Sequence, residues 1–268
     1  MHITITGNLG SGKSTICKLL SEKYQFEIYS TGKVQRELAR QMSMTTLELN
    51  QLMCSNHKYD NMIDDTTAKI SRENSDKDII FDSRLAWHFV EHSFKVFVSV
   101  SLEVAAERVM KDTRGAEEKY TSLEEAKKLL AERAATERVR YKDIYNLNYM
   151  DFSNYDLVID STFCTQDKIA EIILKEAKEY EKNSSHPATA RMLVSPKRLL
   201  TKEDIIETEG NNRLPSIAED YKDYTYAITT VIKVKKSEND YIVLEGMDQV
   251  KEAYLINVPY VPIEVIPN

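Results

Sequence analysis

The chain has no apolar run that reaches the ~18 residues of a membrane-spanning helix, and no excess of basic residues. Its 36 Lys and Arg are outnumbered by 43 Asp and Glu, a formal net charge of −7 over 268 residues. The first absence excludes a helical membrane span. The second argues against a broad basic face for duplex nucleic acid and leaves room for local basic pockets. Cysteine is scarce, and Cys17, Cys54 and Cys164 share no metal-ligand spacing. They read as free thiols in a reducing compartment. The opening MHITITGNLGSGKST enters a β-rich run at once, unlike a secretory leader. A cytoplasmic location is the expectation.

Proline is absent from the first 186 residues. All six (Pro187, Pro196, Pro215, Pro259, Pro262 and Pro267) lie beyond, whereas the cysteines and the only tryptophan, Trp87, lie before. Between them, KEYEKNSSHPATA (178–190) passes from charged and helical to small and polar. Such a stretch marks a boundary, so the expected domains are 1–182 and 187–268. Charge does not separate them: 26 basic and 30 acidic side chains precede residue 187, and 10 and 13 follow.

In the first part strand and helix patterns alternate. Residues 2–6 (HITIT), 26–29, 78–82 (DIIFD), 94–100 (FKVFVSV) and 156–160 (DLVID) read as strands. Helical spacing covers 12–24, 33–53, 60–74, 102–112, 122–147 and 165–181. This alternation predicts an α/β fold, a parallel sheet with helices on both faces. The active edge belongs at the carboxyl ends of the strands.

Gly7-Asn8-Leu9-Gly10-Ser11-Gly12-Lys13-Ser14, followed by Thr15, fits G-x-x-x-x-G-K-[ST] between a strand and an amphipathic helix. Gly7, Gly10 and Gly12 let the backbone curl so that N–H groups point at phosphate oxygens, and the helix start adds its positive dipole end. Lys13 is expected on the β/γ-phosphates and Ser14 on Mg²⁺. Asp82-Ser83-Arg84 follows a strand, which puts a carboxylate at the sheet edge beside this loop. Asp82 holds a Mg²⁺-bound water or orients the acceptor. Arg84 suits a bidentate clamp on an acceptor phosphate. The segment 108–141 carries Arg108, Arg114, Arg133, Arg138 and Arg140. Arg133, Glu137, Arg140 and Tyr141 share a helix face. Arginines closing over a transferring phosphoryl group neutralise its charge, and the alternative is a salt-bridged surface helix.

Residues 1 to about 181 resemble the short cytidylate kinase-like group of P-loop nucleoside monophosphate kinases, especially archaeal-type enzymes. The marks are GNLGSGKST, Ser30-Thr31-Gly32 before a helix carrying Arg36, DSRLAW, ERVRYKDIYNLNYMD and DLVIDST. The resemblance implies ATP-dependent phosphorylation of CMP or dCMP with Mg²⁺. It places Ser30, Gly32 and Arg36 in the acceptor pocket and Arg84 on the acceptor phosphate. It puts Arg133, Arg140 and Tyr141 in the lid and its hinge, and Asp160 near the donor base. Ser83 departs from the family's usual glycine and could narrow the acceptor pocket. Asp60, Asp64 and Asp65 fall on the acceptor-side helix, either to read an exocyclic amine or as solvated acids. Two rivals stand beside this expectation: a kinase for another small acceptor, and a nucleotide-dependent regulator acting through residues 187–268.

In the second part YAITTVIKVKK (226–236) alternates with period two, SEND turns, and YIVLEG follows, which predicts a hairpin. MDQVKEAYL (247–255) is helical, and VPYVPIEVI reads as a strand whose Pro259 and Pro262 suggest an edge. This small α+β unit resembles the ParB/sulfiredoxin-like fold. Gly246-x-x-Gln249-x-x-x-Ala253 stands where that family carries a phosphate-contacting arginine. Gln249 cannot make a charge-assisted phosphate contact. The expected role is binding of a protein partner or protomer, with residual nucleotide binding as the alternative.

Overall fold

The computed structural model describes residues 1–44, 46–111, 120–183, 190–210, 226–237 and 240–267. Its central strand, β1 (His2–Gly7), is buried throughout. Parallel pairing places β3 (Ile79–Asp82) and β4 (Phe94–Ser99) on either side. β2 (Glu27–Ser30) lies outside β3, and β5 (Leu157–Asp160) outside β4. β-Branched and aromatic residues suit strands covered on both faces. Ile3, Ile5, Val96, Val98, Leu157 and Ile159 pack with α1 (Lys13–Tyr24) and α8 (Gln166–Asn183) on one face. Phe97 and Val158 pack on the other, with Tyr141 of α7 (Leu123–Tyr145) and the 149–155 segment. The parallel sheet and its two helical layers match the sequence expectation.

One expected helix, 33–53, is two: α2 (Thr31–Gln41) and α3 (Thr46–Ser55). Ser43 adopts φ 55°, and the amides of Ser43 and Met44 bond back to the carbonyls of Arg40 and Ala39. That paired closure is a Schellman stop, which apolar periodicity does not reveal. α4 (Lys58–Glu73), α5 (Ala86–Phe89) and α6 (Leu102–Lys111) complete this part. Cys17 and Cys164 are free thiols, while the Cys54 side chain lies outside the described residues.

The sheet continues into the C-terminal part. β6 (Arg191–Val194) is parallel to β5, and β9 (Val261–Val265) is antiparallel to β6. β7 (Ile232–Ser237) is parallel to β9, and β8 (Asp240–Glu245) closes a hairpin with β7. The order is β2-β3-β1-β4-β5-β6-β9-β7-β8. α9 (Pro196–Leu199), α10 (Lys202–Gly210) and α11 (Met247–Leu255) accompany these strands.

Two expectations need correction here. Strand β7 begins at Ile232, and among the described residues just before it there is a single bridge, Ala227 to Tyr260. β9 is not an edge strand, since β6 and β7 flank it. Pro262 is tolerated inside the sheet because it faces Leu193 of β6, while β7 takes up pairing only from Ile263. The edge is β8. One apolar layer spans both parts, with Phe97, Tyr141 and Val158 in the same cluster as Leu199, Ile232, Val250 and Ile263.

Ile232 is fully buried in this layer. Ile232→Ala should cost about 2–5 kcal/mol through lost burial and the cavity left behind. Calorimetry should show one transition moved to lower temperature. A separate early transition, with the main one unmoved, would show that the layer does not unite the two parts.

Candidate active site

The loop between β1 and α1 is shaped by close approach. A Cβ on Gly7 would stand 2.2 Å from the Val98 carbonyl oxygen, and one on Gly10 2.8 Å from that of Ala105. Gly12 caps α1 with φ 85°. Asn8 ties the loop to β4 through its N–H to the Val98 carbonyl at 3.1 Å, and its side chain accepts the Val100 N–H at 3.3 Å. Ser11 is buried, whereas Ser14 and Thr15 are exposed on the first turn of α1.

Lys13 and Arg84 converge on this loop. Lys13 Nζ donates to the carbonyls of Gly7 and Asn8, each at 3.0 Å. Arg84 Nη1 donates to the same Gly7 carbonyl at 2.7 Å. Burial, with Arg84 alongside, pulls the Lys13 ammonium down to about 7, although Asp82 and Glu137 oppose the shift. Arg84 is held by Glu137 of α7, with Nε 2.8 Å from Oε2 and both side chains 15% exposed. Arg133 meets the other carboxylate oxygen at 3.4 Å. Burial would raise the Glu137 carboxyl, but Arg84 and Arg133 outweigh it and hold it below its ordinary value. Asp82 ends β3 and accepts the Ser30 hydroxyl at 3.2 Å. Ser83 is buried and its hydroxyl accepts the Leu85 N–H at 3.4 Å, so it braces the turn.

A second cluster lies between α4 and α7. Asp60 and Asp64 are 4% and 7% exposed, which removes the solvated-acid alternative for both, whereas Asp65 is exposed. Arg140 Nη2 lies 3.8 Å from Asp60 and 3.0 Å from the Tyr141 hydroxyl. Arg140 therefore reaches Asp60 of α4, while its charge also acts on Glu137. Tyr145 donates to Asp64 at 2.6 Å. Burial raises the Asp64 carboxyl to about 6, against that hydrogen bond. Burial raises Asp60 too, against Arg140. Gly32 sits beside Arg36, whose Nη1 would lie 3.6 Å from a Cβ there.

Asp160, expected near the donor base, faces the C-terminal part. It is fully buried and pairs with Arg198 Nη1 at 2.5 Å. Arg108 stands beside the loop instead, donating to the Ser161 carbonyl and hydroxyl at 2.6 and 3.1 Å and to the Gly10 carbonyl at 3.4 Å. Arg114 lies outside the described residues. Three groups here escaped the sequence reading as site residues: Arg108, Glu137 and Arg198. Arg108 and Glu137 lay within the arginine-rich segment already singled out. Nothing local marked Arg198, which is brought in by the path of the sheet.

The model of the cytidylate kinase-like family matches residues 2–163. The chain belongs to the cytidylate kinase-like family. A cytidylate kinase from Methanococcoides burtonii is 35% identical over 175 residues, which are 65% of this chain and 95% of that protein. An S-adenosylmethionine-dependent nucleotide dehydratase from Lacinutrix mariniflava is 32% identical over 185 residues, 68% of this chain but only 36% of that protein. Shikimate kinase from Aquifex aeolicus aligns over 69% of this chain, with 20% identity and a TM-score of 0.40. The family match spans the loop, Asp82, Arg84 and the Arg133–Tyr145 face of this cytidylate kinase-like chain. The residues from β6 onward lie beyond it.

The depressed Lys13 ammonium has a consequence for stability. Between pH 7 and about 10.4 the unfolded chain binds a proton that the folded site does not, so folding gains stability as pH rises through that window. Unfolding titrations of wild type and Lys13→Met should therefore diverge in favour of wild type from pH 7 to 10. Parallel curves would show that Lys13 keeps its ordinary pKa.

Proposed function

We propose that the chain transfers the γ-phosphoryl group of ATP to CMP or dCMP, giving ADP and the nucleoside diphosphate. The observation that carries this is the convergence of Lys13 and Arg84 on the Gly7 carbonyl at the carboxyl end of β1. The cytidylate kinase name of relatives such as that of M. burtonii supports the choice of acceptor.

Gly7, Gly10, Ser11, Gly12 and Thr15 wrap the donor phosphates, and Lys13 neutralises their β/γ oxygens. An acceptor phosphate oxygen attacks the γ-phosphorus while the bond to the β–γ bridging oxygen breaks. The acceptor is already an anion, so positioning and charge neutralisation do the work. Arg84, braced by Glu137, sits where donor and acceptor phosphates meet, and Arg133 shares that brace. Ser30, Gly32 and Arg36 line the acceptor pocket. Asp60 and Asp64 accept from the exocyclic amine of the base, with Arg140 and Tyr141 fixing Asp60. Arg114 would close from the segment outside the described residues. Ser14 is exposed at the helix start and Asp82 offers a carboxylate at the end of β3. Such sparse oxygen donors fit Mg²⁺, which is held mainly by phosphates and water. When bound, the ion would supply positive charge that neutralises the donor phosphates.

We also propose that residues 187–268 form a degenerate ParB/sulfiredoxin-like unit that binds a protein partner or protomer. Support comes from Gly246, where an added Cβ would lie 2.7 Å from Ile232 Cδ1, and from the fully buried Ala253. Gln249 at the arginine position argues against phosphate binding there.

ADP release with Mg-ATP should be stimulated by CMP or dCMP above UMP, AMP, GMP and dTMP. Lys13→Ala should lower turnover on the order of 10²–10³-fold. Stimulation by no monophosphate would sink this function. Because Asp64 protonates near pH 6, the preference for CMP over UMP should shrink as pH falls from 7 to 5. A preference that stays constant over that range would remove Asp64 from base reading.

A further inference from the structure

The C-terminal strands reach the donor end of the phosphate loop through a short chain of buried polar contacts. Arg198 and Asp160 pair with side chains 6% and 0% exposed. Tyr260, just before β9, donates its hydroxyl to the Asp160 carbonyl at 2.7 Å. The Asp160 carboxylate also accepts the Thr162 hydroxyl at 2.7 Å, and that hydroxyl accepts the Ser101 N–H at 3.0 Å, where α6 begins. Between them, Ser161 receives Arg108, and Arg108 reaches Gly10. Two consecutive residues, Asp160 and Ser161, thus link Arg198 to the arginine that touches the loop.

Arg198 takes its own position from the C-terminal hairpin. Its guanidinium lies over the Tyr241 ring at 5.3 Å and meets Asp240 at 3.4 Å. Arg198 and Tyr260 both fall outside the family match, which ends at residue 163. A carboxylate as deeply buried as Asp160 is costly without a cation. The cation in direct contact with it, Arg198, comes from beyond the family portion, and Arg108 adds its charge from farther off.

We infer that Arg198 is a positioning residue for the donor nucleotide site, contributed by the C-terminal strands: it fixes Asp160–Thr162 and through them aims Arg108 at the phosphate loop. The inference rests on that loop being the ATP site. Arg198 is almost wholly buried against Asp160 and acts through it, so its removal should act on the donor and spare the acceptor.

The test measures ATP affinity of the full chain by calorimetry, and KM for ATP and for CMP by ADP release. Arg198→Met should weaken ATP about tenfold, the worth of one charge-assisted hydrogen bond, with KM for CMP moved by less than about twofold. Arg198→Lys keeps the charge and should recover most of the loss. Tyr260→Phe is isosteric and should shift ATP in the same direction by less, which decides the matter should Arg198→Met fail to fold. Tyr226→Phe controls for general loosening. It removes a hydroxyl that contacts Glu176 and Arg191 elsewhere among the C-terminal contacts and should leave the ratio of the two KM values unchanged. Unchanged ATP affinity in both Arg198→Met and Tyr260→Phe would overturn the inference. So would an equal weakening of ATP and CMP, or the same donor-selective shift in Tyr226→Phe. Wild type that binds ATP but phosphorylates no monophosphate would sink the proposed reaction, while the ATP measurements would still decide the role of Arg198.

Discussion

Two cations, Lys13 and Arg84, share the Gly7 carbonyl at 3.0 and 2.7 Å, and the carboxylates of Asp82 and Glu137 offset their repulsion. Glu137 reaches Arg84 from α7 at 2.8 Å. Remove it, and a buried guanidinium and a buried ammonium face each other with little but Asp82 nearby, an arrangement that burial makes expensive. The same contact docks α7 against the carboxyl edge of the sheet. The position of α7 in turn sets where Arg140, Tyr141 and Tyr145 meet Asp60 and Asp64. A single helix therefore holds the Lys13–Arg84 cluster and the Asp60–Asp64 cluster in register.

That arrangement favours binding over stability. The Lys13 ammonium is driven down by burial and by Arg84, and the Asp60 and Asp64 carboxyls are driven up by burial. Among the described residues, Asp60 Oδ2 and Ser11 Oγ are buried without a hydrogen-bond partner. Unsatisfied groups of this kind store free energy that a ligand with matching donors and acceptors can release. Ser11 lies in the loop after β1 and Asp60 on α4, the places where the proposed reaction would put a phosphate and a base.

The C-terminal strands add a constraint of another kind. They extend the sheet beyond β5 and contribute to both apolar layers, through Tyr260 on one face and Ile232, Val250 and Ile263 on the other. They also place Arg198 against Asp160. A segment joined to the core by packing and by a buried ion pair cannot shift without disturbing the turn after β5.

The sequence by itself determined the alternation of strands and helices, the phosphate loop and the helix at 247–255, because these are short-range facts. Glycine spacing, the 3.6-residue and two-residue periods and turn residues act within a few positions. It also brought Asp82, Arg84, Arg133, Asp60 and Asp64 into consideration one by one. The break after α2 was not legible, since a serine in the left-handed region leaves no pattern. The place of β9 was misread because proline argues for an edge unless a neighbouring strand skips its position, which depends on register. The direction in which each charge faces was decided only in three dimensions. Arg140 turns to Asp60, Asp160 turns to Arg198, and Glu137 spans two arginines. Partners 38, 53 and 80 residues apart meet only when the sheet order brings their elements together. A buried charge then pairs with whatever countercharge the packing leaves within reach.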